Sequence, residues 1–328
     1  MKHLRLAPEN TKISFMRFRR VSYPLSATLS IISVMMFLFV GMNFGIDFAG
    51  GTQVDIRARN GEVHMAEIRA KADSLGLGPV EVQQIGSTGD VLLRLNVQPG
   101  GEQGQQTAIA KLRDAFSADY EFRSVDSVGP SVSAELVHWG TLGVVVAIIA
   151  VLTYLWFRFE WQFAVGAIIG TMHDLLLTVG FFCVTQLEFN QTSIAAILTI
   201  VGYSLNETVV VLDRIREMMR KYKRLSTAEI VDMSVNAVLP RTIMTATTVF
   251  LALLALFFLG GHVIRSFSAA MIWGIFVATY SSIFICSPML IYMGVRADVF
   301  DRNREGGDAE PSPQAPAAAP PVKAKAKA

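Results

Sequence analysis

Charge is scarce in this chain. Only 17% of its 328 residues are Asp, Glu, Lys or Arg, 52% are hydrophobic, and mean hydropathy is +0.42. Soluble domains carry nearer to a quarter charged residues, so the shortage excludes an ordinary water-soluble domain and points to a bilayer. Cysteine is almost absent. Cys183 and Cys286 both lie inside apolar runs, which argues against a disulfide framework and reads them as small packing residues. A net charge of +2 is too small to suggest a nucleic-acid partner. Also missing are a GxxxxGK[ST] loop, His or Cys pairs at metal spacing and a GxSxG elbow, so no enzyme chemistry, metal or cofactor is expected. Any work this chain does is not driven by ATP bound to it.

What is present is a set of long apolar runs. A bilayer core of about 30 Å needs about 20 apolar helical residues. Stretches 22–42, 137–157, 163–185, 190–212, 242–260 and 267–294 meet that test. The expected fold is therefore a polytopic α-helical membrane protein with six spans, one standing apart and five in close succession. The run Leu25 to Val40 follows a basic leader, and no small-residue cleavage site comes right after it, so it reads as a permanent helix rather than a signal peptide.

Basic residues set the expected orientation. Lys2, Arg5, Lys12, Arg17, Arg19 and Arg20 precede the first span, and Arg214, Arg216, Arg220, Lys221, Lys223 and Arg224 follow the fourth. By the positive-inside rule both termini are cytoplasmic, with 1–21 and the loop 213–240 inside and 43–136 outside. A tail at 295–328, rich in Pro, Ala and Lys, reads as disordered.

The outside region reads as a small α+β domain. Val54, Ile56 and Ala58 alternate as in a half-buried strand, and Asn60-Gly61 turns the chain. Met65, Ile68 and Leu75 recur at helical spacing, closed by Gly76. Strands follow at Val80, Val82 and Ile85 and at Val91, Leu93 and Leu95, the second after the turn Thr88-Gly89-Asp90. A helix with Ala108, Leu112 and Phe116 and a strand with Tyr120, Phe122 and Val125 complete a β-α-β-β-α-β order, that of a ferredoxin-like split fold. Ser226-Thr227-Ala228-Glu229 is a capping box that should open a short helix to about Val238, with Pro240 in the first turn of the fifth span.

Polar residues within the apolar runs need a reason, since a charge at the bilayer centre costs about 2.5–3.5 kcal/mol on insertion scales. The candidates are His173, Asp174, Asn206, Glu207 and Arg241, with Asp213 at a helix end. Asp174 shares a helix face with Gly166 and Gly170, where another backbone can approach closely. It and His173 either join packed helices or serve a proton path. Glu207 follows Thr199, Gly202, Tyr203, Ser204 and Asn206, so this side of the fourth span must face protein or water. Burial favours a neutral carboxyl group and a nearby cation favours the charged one, and a group balanced between the two can take up and release a proton. Arg241 is the expected cation for Glu207 or Asp213. The alternatives are a static ion pair, or Arg241 snorkelling to the interface.

Gly45-Ile46-Asp47-Phe48-Ala49-Gly50-Gly51 after the first span, Val128-Gly129-Pro130 before the second, His173-Asp174, the string Gly202 to Val211 followed by Asp213-Arg214-Ile215-Arg216-Glu217, and Arg241-Thr242 together resemble the SecF family of protein-export subunits. The resemblance runs over about 20–295, in the right order. It implies a bundle like half of an RND transporter and a partner, SecD. The pair would assist the SecYEG channel, drawing unfolded preproteins outward across the bacterial inner membrane with the proton-motive force. It places Glu207 and Arg241 at the family's proton-path positions, with Glu standing where the family carries Asp. Two rival readings are an RND-like exporter of small molecules or lipids and a passive assembly factor. The first fits poorly with a single six-span chain and one small outside domain.

Overall fold

The computed structural model describes residues 11–85, 89–261 and 264–295. The first basic residues of the leader, Thr88 of the expected turn and the expected disordered tail from 296 onward lie outside these.

A 3-10 turn at Phe15–Phe18 leads into α1 (Arg19–Phe39). A one-turn helix, α2 (Ile46–Ala49), then hands the chain to a sheet domain. That domain runs β1 (Gly51–Ala58), α3 (Met65–Asp73), β2 (Val80–Ile85), β3 (Asp90–Leu95), α4 (Gly101–Phe116) and β4 (Tyr120–Val128). The sheet order is β2-β3-β1-β4, and every adjacent pair is antiparallel. This is the ferredoxin-like split fold that the strand and helix periodicities predict. Val54, Ile56, Ile68, Val82, Leu93, Leu112 and Phe116 form its core, so the helices cover one sheet face only. Each buried side chain of this size contributes about 1.5–3 kcal/mol. Arg57 closes the end of the β1–β3 ladder with a bidentate pair to Asp90 at 2.5 and 2.6 Å, and that bond raises the guanidinium above its ordinary pKa.

The chain re-enters the bundle with almost no linker. Gly129 in extended conformation caps α5 (Pro130–Arg158), with Pro130 at the first helical position, where its missing N–H costs nothing. Then come α6 (Trp161–Thr185), α7 (Gln191–Lys221), α8 (Thr227–Leu259) and α9 (Arg265–Ser281). A π-helical segment, Ser282–Cys286, joins α9 to α10 (Ser287–Tyr292). Among the described residues six helical stretches are long and apolar enough to cross a membrane. The stretches α6, α7 and α9–α10 form the buried half of the bundle, whereas α1, α5 and α8 lie around them.

One expectation fails. The helix opened by the Ser226–Glu229 capping box does not stop near Val238. It continues through Pro240 to Leu259 as one unit of 33 residues, about 50 Å long. Proline removes a single N–H from the ladder, and the turns on both sides are held by packing. Ile230, Val231 and Val235 sit in one apolar cluster and Leu253 in another.

Candidate functional site

The bundle has two apolar clusters stacked along its length. Near the sheet domain lie Phe182, Phe189, Ile197, Ile200, Met271 and Ile275. At the other end lie Phe163, Leu212, Ile215, Met219, Ile230 and Leu290. Between the two levels, on the same helices, sit His173, Asp174, Ser204, Glu207, Thr208, Thr242 and Ser281, all buried. The chain thus carries a polar layer at mid-depth, where each polar atom must find its partner within protein.

Asp174, 1% exposed, joins three helices. Ser204 of α7 donates to its Oδ2 at 2.5 Å and Ser281 of α9 at 2.8 Å, while His173 Nδ1 lies 3.2 Å from its Oδ1. His173 Nε2 is buried with no partner among the described residues. The glycines ahead of Asp174 let the π-helical segment pack close. A Cβ at Gly166 would lie 3.2 Å from the Cys286 carbonyl, and one at Gly170 would collide with Cys286 Sγ. The widened helical turn thus lies beside the carboxylate, the kind of place where such turns recur at functional sites. Ser281 and Ser282, at apolar depth, were the sequence signal for this contact, and sequence reasoning passed over them.

Glu207, 3% exposed, lies one turn beyond Ser204 on α7 and accepts a hydrogen bond from the Thr242 hydroxyl of α8. Arg241, next to Thr242, is exposed and makes no ion pair among the described residues. The expected approach of Arg241 to Glu207 or Asp213 is therefore not made in this conformation, since the helical offset between neighbours turns Thr242 inward and Arg241 outward. Asp213 pairs instead with Arg158 at the end of α5, at 2.6 Å. Arg216 likewise meets Glu160 at 2.5 Å and Arg214 meets Glu217 at 2.6 Å. Asp213 and Arg216 thus tie the end of the α7 span to the α5–α6 corner.

Asn206 and Gly202 are exposed, with Thr199 and Ala195, at helical spacing along the outer face of α7. Nothing lies within 4 Å of a Cβ built at Gly202. This small, polar stripe faces away from the chain's own core, and Arg241 and Thr248 are likewise exposed on α8.

The remaining motif glycines shape the joint between sheet and bundle. Gly45 donates to the Phe189 carbonyl at 2.8 Å, and Phe189 donates back to Asn43 at 2.7 Å. A Cβ at Gly45 would come within 2.5 Å of Glu188 Oε1. Asp47 Oδ2 accepts the Gln191 amide at 2.9 Å, which puts a carboxylate at the N-terminus of α7. Gly50 (φ +72) and Gly51 (φ +117) turn the chain into β1, and a side chain at Gly51 would strike the Leu95 carbonyl. Arg94 of β3 reaches across to Asn43 Oδ1 at 3.1 Å and to the Phe44 carbonyl. The entry motif therefore couples the sheet domain to the helix that carries Glu207.

Among the described residues no three His, Cys, Asp or Glu side chains converge as a metal site. Six spans, a split β-α-β domain inserted after the first and an ionisable layer at mid-depth define a multi-pass transport-type membrane protein. The profile described as protein export membrane protein SecD/SecF, C-terminal, matches residues 107–296, and that of the SecD/SecF GG motif matches 36–62. With these matches and the relatives below, the chain belongs to the SecF family of protein translocase subunits. The Rickettsia bellii protein translocase subunit SecF is 42% identical over 292 residues, covering 88% of this chain and 95% of its own. The Rhodobacter capsulatus SecF is 39% identical over 320 residues, covering 93% of this chain and 94% of its own. The Brucella abortus protein translocase subunit SecDF is 42% identical over 308 residues, which are 94% of this chain and 40% of that protein. A crystal structure of SecDF from Thermus thermophilus, described as a translocon-associated membrane protein, superposes with a TM-score of 0.79 at 33% identity. It matches 88% of this chain and 40% of its own, so the chain spans less than half the length of the SecDF relatives it matches.

Proposed function

We propose that this chain is an accessory subunit of the Sec protein-export machinery. It acts with SecD beside the SecYEG channel and draws unfolded preproteins across the inner membrane with the proton-motive force. Both termini face the cytoplasm, and the sheet domain faces the periplasm, as the distribution of Lys and Arg implies. Glu207 is the titrating group. The observation that carries this reading is its position: a buried carboxylate at mid-depth, held by one hydroxyl from the neighbouring helix. Arg241, beside that hydroxyl's residue, is the cation able to approach when the helices shift. Asp174 and His173 form the inner part of the same layer, and Asn206 lines its outer face.

The geometry supports a mechanism for this reading. Protonating Glu207 removes a charge from the α7–α8 contact and weakens what holds the two helices in one arrangement. A motion of α7 is passed to the sheet domain through Asp47 and the Phe44–Phe189 bridge at its N-terminus. A two-state element biased by a proton gradient is the minimum device for such work. The test is export of a reporter preprotein in cells depleted of their own copy and supplied with wild type, Glu207→Asp or Glu207→Gln at matched membrane levels. Asp should support export and Gln should not. Full export with Gln would make this chain a passive assembly factor.

A further inference from the structure

The uncovered face of the sheet does not look into open solvent. It roofs a cleft of about 780 Å³ whose floor is the α6–α7 loop, the first turn of α7 and the start of α9. We infer that this cleft binds an extended, unfolded segment of the translocated polypeptide as an added strand, an inference that rests on the export function proposed above.

Three features select that occupant. First, β2 is an edge strand in the order β2-β3-β1-β4, and Gln83, Gln84 and Ile85 all border the cleft. Successive residues point to opposite faces, so the cleft reaches the free edge of β2 and not merely one face of it. An exposed edge is a template for an added strand, whose main chain supplies the affinity whatever its sequence. Second, the side-chain amides of Gln83, Gln84 and Gln191 line the cleft. Each offers a donor and an acceptor, as a peptide group does. Third, Asp47, Asp126 and Glu188 outnumber Arg265 on the lining. An anionic lipid headgroup is disfavoured by that excess and an acyl chain by the amides, whereas a neutral or basic peptide segment suits both.

The site also lies where binding can act on the bundle. Gln191 is the first residue of α7 and Glu207 lies on the same helix, about 24 Å along it. A strand seated in the cleft therefore bears directly on the element that carries the titrating group.

The test is photocrosslinking in membranes holding the full chain with its cellular partners and an arrested reporter preprotein. A benzophenone amino acid replaces Gln83, Gln84 or Gln191, or, as the control on the opposite side of the domain, Gln106 of α4. Each variant is first shown to support export. Adducts with the reporter at the cleft positions and none at Gln106 are the expected result. A second arm compares reporters carrying a basic or an acidic segment in the presence of Asp126→Lys, which should reverse any preference for the basic one. The inference is overturned if export-competent variants give no reporter adduct in the cleft, give equal adducts at Gln106, or crosslink only to lipid. Export that still depends on Glu207 while the cleft gives no adduct overturns the cleft alone. Adducts that persist while Glu207→Gln exports normally overturn the proton-driven reading and leave the cleft standing.

Discussion

Thr242 donates its hydroxyl hydrogen to the Glu207 carboxylate across the α7–α8 contact, and no other donor reaches that carboxylate among the described residues. Thr242→Val keeps the shape and removes the donor. A buried acceptor left unpaired costs about 1–3 kcal/mol. The expected outcome is a lower melting temperature of the purified protein and weaker gradient-dependent export. Thr242→Ser should restore most of both.

Asp174 takes hydrogen bonds from two helices at once, Ser204 on α7 and Ser281 on α9. Removing Ser281 alone, as Ser281→Ala, should cost about 1 kcal/mol. Asp174→Ala should destabilise considerably more than Asp174→Asn, because Asn retains an acceptor for the serines. Thermal unfolding in detergent compares the three. Equal loss in both Asp174 variants would mean that its charge, rather than its acceptor geometry, holds the layer together.

Gly51 and Gly202 lie in two different family motifs and differ in physical role. Gly51 has φ +117 and no room for a side chain beneath the Leu95 carbonyl, whereas Gly202 lies open on an exposed face. Gly51→Ala should therefore lower the protein's membrane level sharply. Gly202→Ala should leave the level unchanged and act only through whatever packs on the outer face of α7. Immunoblots of matched expression strains report both.

Asp47 places a carboxylate at the start of α7, bonded to the Gln191 amide. Asp47→Ala removes that contact at a cost of about 0.5–2 kcal/mol, the range for losing a capping side chain. Hydrogen–deuterium exchange should quicken at the first turn of α7 while the core of the sheet domain stays protected. Unchanged exchange at Gln191 would contradict the coupling of entry motif and helix.

The sheet domain and the start of α8 were largely legible in the sequence because their signals are local. Alternation at Val54, Ile56 and Ala58, the β-α-β-β-α-β order and the Ser226–Glu229 capping box each depend on neighbours a few residues apart. The ionisable residues of the polar layer were legible for the same reason, since a carboxylate in an apolar run stands out. Their partners were not. Ser281 lies 107 residues from Asp174 and Gln191 lies 144 from Asp47, separations at which sequence pattern carries no information. The pairing of Glu207 with Thr242 rather than Arg241 turns on which of two adjacent residues faces inward, a rotation of about 100° on a helix of 3.6 residues per turn. Pro240 was misread as a helix start because the tertiary packing on either side of it, which keeps α8 whole, is not a local property.

In the proposed function, Glu207 couples the proton gradient to polypeptide movement. The most direct measurement follows late-stage translocation of an arrested preprotein in energised membranes, with and without a protonophore, for wild type and Glu207→Gln. The protonophore should slow wild type to the rate of the variant, and the variant itself should be indifferent to the gradient. A Glu207→Gln protein that keeps the full wild-type response to the gradient would contradict that coupling.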